Sequence, residues 1–450
     1  MNNQENSTKS LFNLLITLAI PTVLEEILST LLQYVDTAMV GRLGENATAA
    51  VSVTTTVSWL VHCLPSAIGI AALSMIAQAA GSGDEKLIKR VSNQLMMIVI
   101  YSGVIIGGLS VALSPFIPSW MGAEVSIRRQ ASIYFAIISF PMIFRCAAWI
   151  LGSAIRATKD TKTPMLINMS ANILNVLLNY LFIYTFSLGV TGAAIATAIS
   201  YSIAGIFMYF AYRKNEILKI DRITMKPDKE IIDKACKIAV PVMATNVTSC
   251  TGYVIFASLV TGMGNTVFAA HSIAVTAETI FYIPGYGLRT ATSTLVGNAV
   301  GENNRKKLSE VSYMSIIVTV LAMCLSGVVL YLVSFPLMRF FTSSLRVAEI
   351  GAEMLKLVAF SEPFFGLMIV CEGIYYGLGE TKYPFYIETF CMWGIRIVAT
   401  FICVRILGLG LREVWYCMIA DNVCKAIMLS IPLKRATNHL LKKEDGSIEN

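Results

Sequence analysis

The sequence predicts an all-α polytopic membrane protein: twelve transmembrane helices in two six-helix lobes related by an internal repeat. Composition is the first observation behind this. Of 450 residues, 56% are hydrophobic and 14% charged, with a mean hydropathy of +0.67. A soluble domain carries about 25% charged residues, and a chain this apolar has too little polar surface to stay dissolved in water. The second observation is the spacing of charge. No Asp, Glu, Lys or Arg falls between Glu45 and Asp84, between Arg90 and Glu124, or between Lys237 and Glu278. The gap from Lys162 to Arg213 leaves fifty residues, roughly 75 Å of helix against a hydrocarbon core of about 30 Å. That stretch must cross twice, with its break at Leu188-Gly189-Val190-Thr191-Gly192.

The third observation is a repeat at a constant offset of 220 residues. Pro21 matches Pro241, Gly44 matches Gly264, and Ala49, Ala50 and Ser52 match Ala269, Ala270 and Ser272. Gly81 matches Gly301, Lys86 matches Lys306, Val91-Ser92 matches Val311-Ser312, Thr161-Lys162 matches Thr381-Lys382, and Pro164 matches Pro384. Six spans per repeat give both halves the same orientation, with their symmetry axis along the membrane normal.

Taken in order, the spans are expected near 11–38, 48–80, 91–118, 130–152, 163–186, 190–212, 236–260, 270–300, 311–336, 352–377, 383–407 and 412–433. The N-terminal lobe is then 1–212, a connector runs over 213–237, the C-terminal lobe is 238–435 and a tail 436–450. Sorting loops by side places twenty-three basic residues with the termini and seven on the other face. The positive-inside rule puts both termini in the cytoplasm of an inner, or plasma, membrane.

The net charge of +7 is read as orientation, with no nucleic-acid partner, since no basic stripe interleaved with aromatics stands outside the apolar segments. Ten cysteines form no CxxC pair, so neither a disulfide framework nor a cysteine metal site is implied. The polar segment Met1–Ser10 lacks the features of a signal peptide. His62, His271 and His439 form no HExxH, and there is no nucleophile elbow and no phosphate-binding loop. An enzyme is not expected. Without a nucleotide site, energy has to come from an ion gradient or a partner, or else the protein is a channel.

Charge inside the bilayer is costly and marks function or pairing. In the first span Glu25, Ser29, Gln33 and Asp36 share one helix face; in the fifth, Asn168, Asn172, Asn175 and Asn179 do the same. For each Asn, helix–helix hydrogen bonding is the plainer account. Asp36 has no basic residue within a turn, so its carboxylate either keeps a proton or holds a cation, as a coupling element of an antiporter does. In the eighth span Glu278, Tyr282, Tyr286 and Arg289 share a face interrupted by Pro284 and Gly285. Glu278 is either a second proton or substrate site or half of an interhelical salt bridge. Asp421 and Lys425, spaced i,i+4, are expected to pair. Glu362 and Glu388 sit nearer the ends of their spans.

The stretch Tyr34-Val35-Asp36-Thr37-Ala38-Met39-Val40-Gly41-Arg42-Leu43-Gly44 resembles the first-helix motif of the MATE (multidrug and toxic compound extrusion) family. Thr158-Lys159-Asp160-Thr161-Lys162-Thr163-Pro164 and Gly377-Leu378-Gly379-Glu380-Thr381-Lys382-Tyr383-Pro384 are similar to its paired GDTKxP loops. Pro284-Gly285-Tyr286-Gly287 with Leu295–Gly301, and Gly192–Thr197, resemble its eighth and sixth helices. The likeness covers nearly the whole chain and points to the bacterial NorM/DinF-like branch, within the MOP flippase superfamily.

The resemblance implies export of cationic or lipophilic small molecules by antiport with Na⁺ or H⁺ through alternating access. It implies an ion-coupling site on Asp36, Asn175, Asn179 and Thr197. Where many members carry a second Asp, this chain has Asn179, which weakens the case for Na⁺ and leans towards protons. The acid that some branches place in the seventh helix is replaced here by Asn246, Ser249 and Tyr253. Glu278, with Tyr282, Gln33 and Glu25, is the expected substrate or second proton site. No cofactor is expected beyond the coupling ion, and no metal beyond Na⁺ at Asp36. The partners are a small organic cation and the bilayer, with the protein acting as a monomer. The alternatives are a flippase or exporter of a lipid-linked or endogenous metabolite and, less favoured, a channel.

Overall fold

The computed structural model describes residues 2–218 and 226–433, with side chains from Lys9 onward. Part of the expected 213–237 connector, and the expected 436–450 tail, lie outside the described residues. The described chain is helical, with no strand: α1 (Asn2–Gly41), α2 (Glu45–Ser82), α3 (Glu85–Leu113), α4 (Ile117–Trp120), α5 (Val125–Ser139), α6 (Met142–Ala157), α7 (Lys162–Asn179), α8 (Gly189–Lys214), α9 (Lys229–Thr261), α10 (Asn265–Gly301), α11 (Arg305–Phe341), α12 (Leu345–Ala359), α13 (Glu362–Leu378), α14 (Lys382–Phe390), α15 (Val398–Phe401) and α16 (Leu411–Ser430). Widened π-type turns extend α7 over Tyr180–Thr185 and α14 over Cys391–Ile397, and lie at Ile402–Ile406 after α15.

The 220-residue offset reaches the level of elements. α2, α3, α5, α6 and α7 begin at 45, 85, 125, 142 and 162, and α10, α11, α12, α13 and α14 at 265, 305, 345, 362 and 382. The turn ahead of α2 uses Gly44 at φ 103°, and the turn ahead of α10 uses Gly264 at φ 107°. Only glycine adopts that backbone without strain, which is why these two positions carry the same residue. Pro21 in α1 and Pro241 in α9 repeat too.

Nine helices among the described residues are long and apolar enough to cross a membrane. Two further spans are broken: α5 and α6 meet at a 48° bend, and α12 and α13 at 57°. That makes eleven. The expected twelfth, α16, has 20 residues, about 30 Å, but Arg412, Glu413, Asp421 and Lys425 lower its hydropathy. Leu321, Leu325, Val328 and Leu332 stand 57–70% exposed on one face of α11. An exposed apolar stripe of this kind suits a hydrocarbon solvent, and the chain is a multi-pass membrane protein.

The chain divides into two compact units. One comprises Leu24–Met243 and the other Met1–Val23 with Ala244–Asn450. The first is built on Ile150, Leu151, Ala154, Met208 and Tyr212, all fully buried. The Tyr212 hydroxyl donates to the Ser92 carbonyl at 3.1 Å. Its helices cross closely because glycines stand at the contacts: a Cβ on Gly205 would lie 2.3 Å from the Phe144 carbonyl oxygen. The second unit packs Leu295, Val296, Met323, Ile369 and Ile374 in its interior. There Gly377 lies against Ser293, and the Ser293 hydroxyl donates to the Gly373 carbonyl at 2.7 Å.

Candidate ion and substrate site

The two polar stripes meet. α1 and α7 run parallel, and three partners share one offset of 143 residues: Asn168 Nδ2 donates to Glu25 Oε1 at 2.6 Å, Asn172 Nδ2 to Ser29 Oγ at 2.9 Å, and Asn179 Nδ2 to Asp36 Oδ1. Amides hydrogen-bonded across a helix pair are a stable way to hold polar groups in an apolar solvent. Asn179 Nδ2 also donates to Asn175 Oδ1 at 3.2 Å, and Asn175 Nδ2 to Thr197 Oγ1 on α8 at 3.3 Å. Asp36, Asn179, Asn175 and Thr197 thus form one continuous chain of contacts; they are the four residues on which the family resemblance places ion coupling.

Two properties of this chain bear on chemistry. Asp36 has no Lys, Arg or His within ion-pair distance among the described residues. Asn179 is fully buried, and its Oδ1 has no hydrogen-bond partner. A half-buried carboxylate beside an unfilled carbonyl acceptor suits a small cation or a carboxylic O–H: each brings positive charge to the first and a contact to the second.

The other end of the stripe differs in character. Arg156 Nη2 lies 2.8 Å from Glu25 Oε1 and 2.9 Å from Oε2, with both side chains 10% exposed. Glu25, expected at a substrate or proton site, is an ion-pair partner that also accepts from Asn168. Gln33 is exposed, and the 143-residue offset sets it against Val176, which offers no polar group.

In the other unit, Tyr282 OH donates to Glu278 Oε1. Glu278 is 1% exposed and makes no salt bridge among the described residues. The Tyr282 ring stacks on Phe365 with centroids 4.1 Å apart. Beside Glu278 stands Glu362, fully buried with both carboxyl oxygens unpartnered. The sequence reading set Glu362 near the end of a 352–377 span. It is instead the first residue of α13, at the bend in the middle of a span from Leu345 to Leu378. Pro363 after the Phe360-Ser361 break was the signal available. Other interior charges in this unit form ion pairs: Arg289 with Glu372 at 3.1 Å, and Asp421 with Arg396 at 2.7 Å and Lys425 at 3.0 Å, whereas Glu388 Oε1 is buried without a partner. No cluster of three or more His, Cys, Asp or Glu side chains able to hold a metal occurs among the described residues.

Repeated apolar spans closing around buried carboxylates define an integral membrane protein with a transporter fold. The chain belongs to the MatE family, whose profile matches residues 21–181 and 241–402. It is 28% identical over 420 residues to a probable multidrug resistance protein NorM of Thermotoga maritima, covering 92% of this chain and 90% of that one. A probable multidrug resistance protein YoeA of Bacillus subtilis is 24% identical over 422 residues, covering 92% and 91%. Among solved structures, an outward-facing multidrug resistance MATE family transporter of the MOP superfamily superposes with a TM-score of 0.91 at 22% identity, covering 96% of this chain and 97% of that one. A MOP superfamily transporter from Pyrococcus furiosus, described as having a binding pocket of reverse polarity, gives 0.89 at 22% identity, covering 96% of each. These superpositions establish the fold.

Proposed function

We propose that this protein exports small organic, lipophilic cations across the plasma membrane in exchange for H⁺ or Na⁺, by alternating access. Asp36 is the ion-coupling carboxylate, and Asn179, Asn175 and Thr197 are its ligand or hydrogen-bonding neighbours. The observation that carries this is the uncompensated Asp36 carboxylate against the orphan Asn179 Oδ1. Ion and substrate then compete through the states each stabilises. Glu278 with Tyr282, joined by Glu362, is a second acidic locus for a proton or for the cationic end of a substrate. The excess of basic residues on the side of the termini supports cytoplasmic termini. The multidrug resistance names of its relatives support an efflux role.

Purified protein in liposomes loaded with a fluorescent cationic dye tests the reading. A Na⁺ gradient and a pH gradient are imposed separately. Dye efflux that follows one of them and is lost in Asp36→Asn is expected, and it names the ion. Equal efflux with neither gradient imposed, or gradient-driven efflux surviving in Asp36→Asn, overturns the proposal.

A further inference from the structure

Five basic side chains lie inside the described helical interior, and four have a carboxylate partner. Arg156 is 2.8 Å from Glu25, Arg289 3.1 Å from Glu372, Arg396 2.7 Å from Asp421, and Lys425 3.0 Å from Asp421. Arg145 is the exception. It has no carboxylate within ion-pair distance and no hydrogen bond among the described residues. Its Nε is buried without an acceptor, and its guanidinium lies over the Tyr201 ring at 4.9 Å. One ring face leaves the five N–H donors of a guanidinium without an acceptor.

Position makes this costly. Arg145 follows the bend between α5 and α6, twelve residues from the end of α6 at Ala157, roughly 18 Å along the helix. With a hydrocarbon core of about 30 Å, that depth is out of reach of lipid headgroup phosphates. An unpaired cation there needs an anion. The side chain is only half-buried, so an incoming group has access to it.

The surroundings are aromatic and reach Asp36. His62 lies edge-on to Trp149 with centroids 4.5 Å apart, and Arg145 acts electrostatically on His62. Tyr134 feels both Asp36 and Arg145. Tyr134 is therefore within electrostatic range of both the Asp36 carboxylate and the Arg145 guanidinium, in a single unit.

We propose that Arg145 is an anion-binding residue of the transport site, receiving the carboxylate of aromatic zwitterionic substrates whose cationic end lies towards Asp36. This rests on the efflux reading above and narrows its substrate class from cations to molecules with both charges. Arg145 becomes a specificity-determining residue: it favours the zwitterion and tolerates the pure cation.

A matched dye pair tests it: a rhodamine ethyl ester, which is a fixed cation, and the free acid of the same dye, which is a zwitterion. Efflux of each from proteoliposomes is measured for the wild type, Arg145→Gln and Arg145→Lys. Equilibrium binding of each to detergent-purified protein is followed in parallel by fluorescence anisotropy. One lost charge-assisted contact corresponds to a rise of roughly ten- to a hundredfold in KM and Kd for the free acid in Arg145→Gln. The ester should change less than about twofold, and Arg145→Lys should restore part of the acid's affinity. Equal losses for both dyes would make Arg145 a structural residue and overturn the proposal; so would no change for either. Selectivity for the acid that disappears when chloride is replaced by gluconate would assign the site to an inorganic anion and likewise overturn it. If the wild type binds but exports neither dye, the efflux reading fails, and the binding arm still decides the Arg145 site.

Discussion

The pair Glu25–Arg156 allows a stringent test of the description of the first unit. Both side chains are 10% exposed and bonded at 2.8 and 2.9 Å. In Arg156→Met the Glu25 carboxylate stays buried with only Asn168 donating to it. Breaking a buried pair from one side costs about 3–5 kcal/mol, because the desolvated partner charge is left behind. Adding Glu25→Gln removes that charge, and the new amide still accepts from Asn168, whose Nδ2 lies 2.6 Å from Oε1. Most of the loss should then return. The assay is thermal and dodecyl-sulfate denaturation of detergent-purified protein, followed by tryptophan fluorescence, for both singles and the double. A double variant no more stable than Arg156→Met would refute the reasoning. The double should also retain gradient-driven efflux. A folded but inactive double would return Glu25 to the substrate path that the sequence suggested.

Other consequences follow from the same geometry. With one monovalent ion coupled at Asp36, 100 mV of driving force is worth about 2.3 kcal/mol, a substrate gradient of roughly fiftyfold. In Asp36→Asn the steady-state gradient in proteoliposomes should collapse to about unity. Glu362→Gln should fold normally, since the carboxyl has no partner to lose, and should change the pH profile of efflux; an unchanged profile would remove Glu362 from the second acidic locus. Gly205→Val should lower thermal stability by about 1–3 kcal/mol through overpacking, because even a Cβ would lie 2.3 Å from the Phe144 carbonyl oxygen; a stable variant would mean α6 and α8 cross less closely. At the start of α9, the Arg90 guanidinium holds the Asp228 carboxyl below its ordinary range. Its contribution is therefore complete above the ordinary aspartate value of about 3.9 and is lost as pH falls through the lower folded value. Hydrogen exchange at Ile231 and Ile232 should stay protected at pH 5 and weaken only below about 4, with no such dependence in Asp228→Asn.

The polar stripes of α1 and α7 were each legible in the sequence because they are local: residues three or four apart on a helix share a face whatever surrounds them. Which stripes meet was not legible. Nor was the fate of Gln33, which has the right spacing but stands opposite Val176. The repeat was readable down to Gly44 and Gly264, since a backbone demand leaves a residue signature. Glu362 was misplaced because its span is broken, and a contiguous hydropathy window shortens a helix that bends. The expected Asp421–Lys425 pair is present. Its third member, Arg396, comes from a widened turn 25 residues away, where helical periodicity gives no guide. The unpaired state of Arg145 was invisible for a related reason, since it depends on what four other helices fail to provide.

The central claim is that substrate and ion exchange through Asp36. The most direct measurement imposes a substrate gradient alone across proteoliposomes and records the lumen with a trapped pH reporter and, separately, a Na⁺ reporter. Reciprocal coupling predicts that substrate flowing down its gradient drives H⁺ or Na⁺ the opposite way in the wild type, and drives neither in Asp36→Asn. Substrate movement with no ion flux in the wild type, or an undiminished flux in the variant, would contradict the account.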